Sequence, residues 1–393
     1  MRIFFEYFSI LLISFSYTFL IRNHLYFGIA LGTGSLTLLL LNLKYLKHRF
    51  TFKQIYPFLI FMSALVISSA NSIIINRSFP VVFYLLLIIT FCFLLFKCLS
   101  NNEEVREKLI KYFVISIFLN LLIVSVYNFI YMDYSNPFSN EVKRFKGYLN
   151  ILTILVIILP FLQKTKINII AYLLILPNLL ISNSNAAILG ILVSLIGLLI
   201  YFIYQNFLKT KIFILFVFII SLISSLLVIN KLPREFDKSS IQNSSMKIPT
   251  ELIDTHRQYI WGFSLNKFFN KPLLGYGPDT SNFIEGSQEI IGSKNTGTMP
   301  YIPSHPHNFI IEILLDTGLI GLLSFSIFNL IYFFRILNNL NSKGKYLLVC
   351  FIFYFWGASL VNFSYWNGWW QTSFFFLITI ISSFSLSGAK KNN

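Results

Sequence analysis

The sequence predicts an all-α polytopic membrane protein, with about twelve transmembrane helices and one long outside loop that carries short amphipathic helices. Three observations predict it. Hydrophobic residues make up 56% of the 393 and charged residues only 12%, with a mean hydropathy of +0.71, whereas a soluble domain is about a quarter charged. Apolar runs of roughly 17–25 residues recur along the chain, the length a helix needs to cross about 30 Å of hydrocarbon. The basic residues gather in alternate connections, as the positive-inside rule requires of a multi-span protein.

Taken in order, the spans fall at roughly 4–21, 26–43, 55–75, 80–97, 109–131, 149–163, 167–182, 186–204, 212–230, 309–334, 345–362 and 371–387. The first follows Arg2 with no small-residue cleavage site after it, so it reads as an uncleaved span. Lys44, Lys47, Arg49 and Lys53 lie in one connection; Lys97, Arg106, Lys108 and Lys111 in the next but one. Lys164 with Lys166, Lys209 with Lys211, Arg335 with Lys343 and Lys345, and the tail lysines Lys390 and Lys391 continue the alternation. The intervening connections hold little beyond Arg22 and Arg77. Both termini are therefore expected on the basic, inner side. The chain divides into N-terminal helices (1–131), middle helices with a short outside loop at 132–148 (132–230), a long outside loop (231–307) and C-terminal helices (308–393).

The formal charge of +16 suggests nucleic acid at first sight. Its placement between spans excludes that partner and points to the lipid bilayer instead. Cys92, Cys98 and Cys350 lie in or beside apolar runs with neither metal-site nor disulfide-framework spacing.

A loop as long as 231–307 inside a compact membrane protein calls for a function. Residues 238–247 read as flexible. After Pro249, TELIDTHRQYIWGFSLNKFFNKP has the period of an amphipathic helix, with Leu252, Ile253, Ile260, Phe263 and Phe268 near one stripe, a start at Pro249 and Thr250, and a stop at Asn270 and Pro272. Arg257 and Trp261 stand one turn apart, where an indole can stack on a guanidinium; the plainer reading is an interfacial helix with a snorkelling arginine and a belt tryptophan.

His305 and His307 stand at i, i+2 before an apolar run. They read as metal ligands, as a general base or as surface residues; a metal would need a third ligand from Asp279, Glu285 or Glu289, which no spacing selects. Arg144, flanked by Lys143 and Lys146 in the shorter outside loop, reads as a basic loop near lipid phosphates. Gly275 and Gly277 form no complete phosphate loop and read as a tight turn. Tyr365, Trp366, Trp369 and Trp370 read as an aromatic belt, with sugar stacking as the functional alternative. Glu312 and Asp316, just inside a span, are costly there unless paired or wet, and suggest a wet vestibule.

Together these stretches resemble the O-antigen ligase and polymerase family of bacterial surface-glycan enzymes. His307-Asn308 followed nine residues later by Gly318-Leu319-Ile320-Gly321 is similar to that family's ligase signature. Arg257 with Trp261 and then PLLGYG resembles a second landmark, and RFKG from Arg144 to Gly147 a third. One departure stands out: in ISNSNAAILG, Asn185 occupies the place where the family carries an arginine after a serine. Arg144 or a lysine then compensates, or the acceptor differs.

The resemblance implies a glycosyltransferase of GT-C-like architecture in the bacterial inner membrane, both termini cytoplasmic and the long loop periplasmic, with no cofactor and no metal. It implies an undecaprenyl-diphosphate-linked glycan donor, and a glycan or lipid A-core acceptor. Arg257, and Arg144 second, would hold the diphosphate, guanidinium forks suiting phosphate oxygens. His307, with His305 as neighbour, would take the acceptor's proton, and direct attack would invert the anomeric centre. Trp261, Asn308, Gly275, Gly277, Gly318 and Gly321 would support them. Ligase and polymerase share these motifs. The rival from another class is a transporter or flippase of lipid-linked oligosaccharide, which predicts ionisable residues deep in the spans and internal symmetry.

Overall fold

The computed structural model describes residues 1–46, 51–132, 145–162, 167–208, 220, 223–233, 247–293 and 297–385. It is nearly all helical. The described helices are α1 (Arg2–Ser14), α2 (Ser16–Leu20), α3 (His24–Leu41), α4 (Phe52–Ala70), α5 (Ile75–Asn101), α6 (Glu103–Tyr131), α7 (Lys146–Leu162), α8 (Ile167–Ile181), α9 (Asn185–Ile203), α10 (Thr255–Phe268), α11 (Phe309–Asn339), α12 (Ser342–Ser359) and α13 (Gly368–Ser385). Among the described residues, six helices are long and apolar enough to cross a membrane.

Helix starts follow from their caps. Asn23, Asn102, Asp254, Asn308 and Asn341 each accept a hydrogen bond from an otherwise orphaned amide in the first turn that follows. Thr51 and Gln54 close a capping box ahead of α4.

Three expectations need correction. The first apolar run is two helices broken at Phe15, not one. The basic stretch 97–111 is not a loop: α5 ends at Asn101 and α6 begins at Glu103, so its cations sit on helix ends. Arg106 is buried against Glu103 and the Leu99 carbonyl, and Lys108 reaches Glu6 and Glu104. The fold is not purely helical, because Ile290–Ser293 and Gly297–Pro300 pair as an antiparallel hairpin, β1 and β2, with Ile290 opposite Pro300. The stretch expected to be flexible, 238–247, falls outside the described residues except Lys247.

Small residues let helices approach closely. A Cβ at Gly190 would touch the Tyr354 ring at 3.0 Å, and one at Gly357 would meet Val193 at 2.7 Å. Ser194 and Cys350 share a hydrogen bond of 2.8 Å in the same α9–α12 seam. The largest buried apolar cluster runs through α1, α3, α6, α7, α8, α12 and α13. A separate cluster lies in the long loop, built on Tyr259, Ile260, Trp261, Phe263, Tyr276, Ile291, Tyr301 and Ile302, and it takes in Leu315 of α11. The loop therefore has a core of its own, joined to the first turns of α11.

Candidate active site

The site is built on α10 and the turn preceding α11. Helix α10 starts at Thr255, five residues later than its sequence pattern suggested, because Asp254 caps it. Leu252, expected on its apolar stripe, is 76% exposed and lies before the helix. Asp254 holds Arg257 twice. One carboxylate oxygen accepts from the Arg257 amide at 2.9 Å, and the other pairs with the guanidinium at 3.0 Å. Arg257 is thus in the first turn, not mid-helix. Its guanidinium is oriented by the aspartate rather than by Trp261, whose indole N–H donates to the Pro306 carbonyl at 2.9 Å.

That bond ties α10 to the histidines. Pro306 lies between His305 and His307, whose rings sit 4.2 Å apart, centroid to centroid. They share no strand face: His307 has a φ of +56°, in the left-handed region. The Nδ1 of His305 lies 2.9 Å from the Ser304 hydroxyl. His305 Nε2 and His307 Nδ1 are buried, with no hydrogen-bond partner among the described residues. Burial, with His307 beside it, pushes the His305 imidazole down to about 3. Burial, with Arg257 and His256 adding to it, pushes His307 down to about 4, against an opposing pull from Asp254. Both rings are neutral at physiological pH and able to accept a proton. No group of three or more His, Cys, Asp or Glu able to hold a metal occurs among the described residues.

Asn308 caps α11, accepting from the amides of Ile310 and Ile311 at 3.0 and 3.1 Å. Its side chain shapes the turn that carries His307.

The glycines do a different job from the histidines. Helix α11 is broken at Gly318, with φ 66° and ψ −168°, and the Pro272–Gly277 segment docks against the break. Leu319 and Ile320 donate to the carbonyls of Pro272 and Leu273 at 2.8 and 3.2 Å; Tyr276 and Gly277 donate to those of Leu315 and Asp316 at 3.2 and 2.7 Å. A Cβ at Gly275 would come within 2.4 Å of the Asp316 main chain, and one at Gly277 within 2.0 Å of Ser72 Oγ. At Gly321 a Cβ would meet Thr317 Oγ1 at 1.9 Å. The sequence suggested a tight turn around Gly275 and Gly277, and the turn is there. Its purpose is to fasten the loop to α11.

Glu312 and Asp316 line no open vestibule. They are 1% and 0% exposed; both Glu312 oxygens and Asp316 Oδ2 meet protein donors, while Asp316 Oδ1 has no hydrogen-bond partner among the described residues. Glu312 accepts from the Ser364 hydroxyl and the Tyr365 amide, each at 2.6 Å. Asp316 Oδ2 accepts from the Trp366 indole at 2.7 Å and the Asp279 amide at 3.1 Å. Tyr365, Trp366, Trp369 and Trp370 are accordingly buried, at 9% exposure or less, and form neither a lipid-facing belt nor an open sugar platform. Asp279 in turn pairs with Arg77 at 2.8 Å. Sequence reasoning missed Asp254, His256 and Arg77 as parts of this assembly, and weighed Asp279 only as a metal ligand. Asp254 was detectable: an aspartate three residues ahead of Arg257 carries the N-cap signature.

Arg144 lies outside the described residues. Asn185 opens α9, and the hydroxyl of neighbouring Ser184 donates to the Lys146 carbonyl at 3.2 Å.

Comparison with known proteins bears on the family of the chain. Residues 170–326 match a family model described as O-Antigen ligase, a stretch that contains Arg257, Trp261, both histidines and all four glycines. A protein of Rickettsia conorii described as "Putative polysaccharide ligase" is 32% identical over 228 residues, 58% of this chain and 53% of that protein. A Rickettsia prowazekii protein with the same description is 29% identical over 286 residues, 72% of this chain and 68% of the relative. A third, from Rickettsia felis, is 28% identical over 287 residues, again 72% and 68%. The matched region thus spans about half of the first relative and two thirds of the others. The resemblance read from the sequence motifs is borne out.

Proposed function

From a chain whose residues 170–326 belong to the O-antigen ligase family, we propose that this protein is a membrane glycosyltransferase that passes a glycan from an undecaprenyl-diphosphate carrier to a sugar hydroxyl at the periplasmic face of the inner membrane, without a metal. One observation carries the reading: the indole of Trp261, one turn from Arg257, is bonded to the carbonyl of Pro306 between the two histidines. A fixed cation and a neutral proton acceptor are thereby held together.

In the proposed step, the acceptor hydroxyl oxygen attacks the anomeric carbon. The bond from that carbon to the diphosphate oxygen breaks, the diphosphate leaves with the electron pair, and the anomeric centre inverts. His307 takes the hydroxyl proton. Arg257 offsets the negative charge growing on the leaving group. A ring pushed down to about 4 is a weak base in the free protein. The arriving diphosphate brings negative charge beside it and raises its proton affinity when the base is needed. Arg144 is the second cation proposed, and Lys146 is the lysine proposed to compensate for the missing arginine; its carbonyl accepts from Ser184, next to Asn185.

The topology proposed has both termini cytoplasmic and about twelve spans. Helices α4 and α11 support the sidedness. At one end, Arg335 donates to the carbonyls of Lys53 and Gln54. At the other, Ser68 donates to the carbonyls of Leu274 and Asp316. The 17 residues from Phe52 to Ser68 rise about 26 Å, close to one hydrocarbon thickness. In the topology proposed, the break at Gly318 lies at the outer boundary, with the histidines beyond it.

The relatives are described as polysaccharide ligases, which favours a ligase over a polymerase; lipid A-core or a comparable glycan is the acceptor proposed. The glycan size profile in a strain lacking the protein, read separately on lipid-linked and surface-linked pools, tests this. Long polymer stranded on the carrier with none on the surface is the expected result. Single repeats capping the surface acceptor would make it a polymerase. Repeats trapped on the cytoplasmic face, or unchanged profiles in both pools, would overturn the reading.

A further inference from the structure

The corner at the end of α10 exposes two large apolar side chains close together in the chain. Phe269 is 69% exposed and Leu273 is 60% exposed, although the loop's other large apolar side chains mostly fill its own core. Lys267 and Lys271 flank Phe269, and Leu273 follows two residues on; each ammonium lies over a loop ring, at 5.4 Å from Phe263 and 5.0 Å from Tyr276. The same corner is bonded to α11 where its spanning half begins, through the Leu319 and Ile320 amides. Leu319 and Ile320 are each 42% exposed, and Leu323 is 60% exposed. The apolar surface of the corner is therefore continuous with the lipid-facing surface of α11.

The levels agree. The spanning half of α11 begins after the break at Gly318. Leu274, beside Leu273, accepts from Ser68 near the end of α4, 15 residues on from Lys53, whose carbonyl meets Arg335. A rise of about 1.5 Å per residue puts the corner at the edge of the hydrocarbon. An exposed phenylalanine and leucine interleaved with two lysines at that depth have the composition of an interfacial anchor, apolar side chains in the acyl boundary and ammoniums among phosphates.

We propose that the Lys267–Leu273 corner is a membrane-docking element, seated in the outer interface of the bilayer with Phe269 and Leu273 among the acyl chains and Lys267 and Lys271 on anionic headgroups. It fixes the height of α10, and so of Arg257 at the helix's other end, above the lipid. The proposal requires that α11 crosses the membrane. It does not depend on glycan transfer, and its test reads depth rather than activity.

Nitroxide labels on Phe269→Cys and Leu273→Cys, in nanodiscs containing phosphatidylglycerol, are compared with a label on Leu252→Cys, which lies before α10 and is 76% exposed; the parent protein, with native cysteines only, supplies the background. The corner labels should relax strongly with oxygen and weakly with an aqueous nickel chelate, and the Leu252 label the reverse. Nickel accessibility at the corner equal to that at Leu252 would overturn the proposal. So would dipolar broadening between corner labels, which would mean a second copy covers the patch. Depth should decrease when phosphatidylcholine replaces the anionic lipid; equal depth in both would overturn the role given to the lysines.

Discussion

The main chains of Gly318 and Leu273 touch so closely that a Cβ at Gly318 would lie 2.3 Å from the Leu273 carbonyl carbon. Gly318 also has a φ of 66°, where an L side chain is strained. Gly318→Ala combines strain of about 1–3 kcal/mol with that clash. It should lower the thermal unfolding midpoint of the purified protein and abolish transfer, because the loop loses its seat on α11. Gly28→Ala is the control. Nothing lies within 4 Å of a Cβ there, inside α3, so that change should be neutral or slightly stabilising. Equal midpoints for the two variants would contradict the docking role of Gly318.

The histidine pair makes stability depend on pH. Both imidazoles sit below the ordinary value of about 6.5 in the folded protein. The unfolded chain therefore binds more protons below that pH. The contribution is fully present above about pH 6.5 and is lost as pH falls toward the folded values. The unfolding midpoint should fall from pH 6.5 to pH 4.5, and His307→Gln should flatten the slope. An unchanged slope in His307→Gln would show that other groups carry it.

Rate should show the same ring in two states. The acidic limb of kcat/KM reports the free enzyme and kcat reports the loaded one. Because the diphosphate raises the proton affinity of His307, the acidic limb of kcat should lie at higher pH than that of kcat/KM. Coincident limbs would remove the proposed charge coupling between donor and base.

Trp261→Phe keeps the ring and deletes the N–H that holds Pro306. A lost hydrogen bond of this kind costs about 1 kcal/mol, more when it strands a buried carbonyl. Positioning predicts a larger fall in kcat than in stability, while a purely structural role predicts proportional losses; parallel kinetics and thermal melts separate the two.

Much of the fold was legible in the sequence. Apolar runs of spanning length foretold where the described helices lie, and asparagines ahead of α3, α6, α11 and α12 cap them. The motif residues His305, His307, Arg257 and Trp261 do converge. What could not be read is what depends on long-range partners. The break within α11 is invisible to hydropathy, since Gly318 sits in an apolar run and is stabilised by a segment some 45 residues earlier in the chain. Periodicity started α10 too early because it counted Leu252 and Ile253 and ignored Asp254. The buried acids and tryptophans misled for the same reason: Glu312 finds Ser364 and Tyr365, and Asp316 finds Trp366, only after folding.

The most direct measurement is transfer by the purified protein in nanodiscs, supplied with a polyprenyl-diphosphate glycan and a sugar acceptor, with a chelator present, and compared with His307→Ala and Arg257→Ala of matched thermal stability. The account predicts acceptor-linked product and free polyprenyl diphosphate from the parent protein, and at least a hundred-fold loss in each variant, in line with the removal of a general base or of a transition-state charge partner. Full transfer by a folded His307→Ala protein would contradict it.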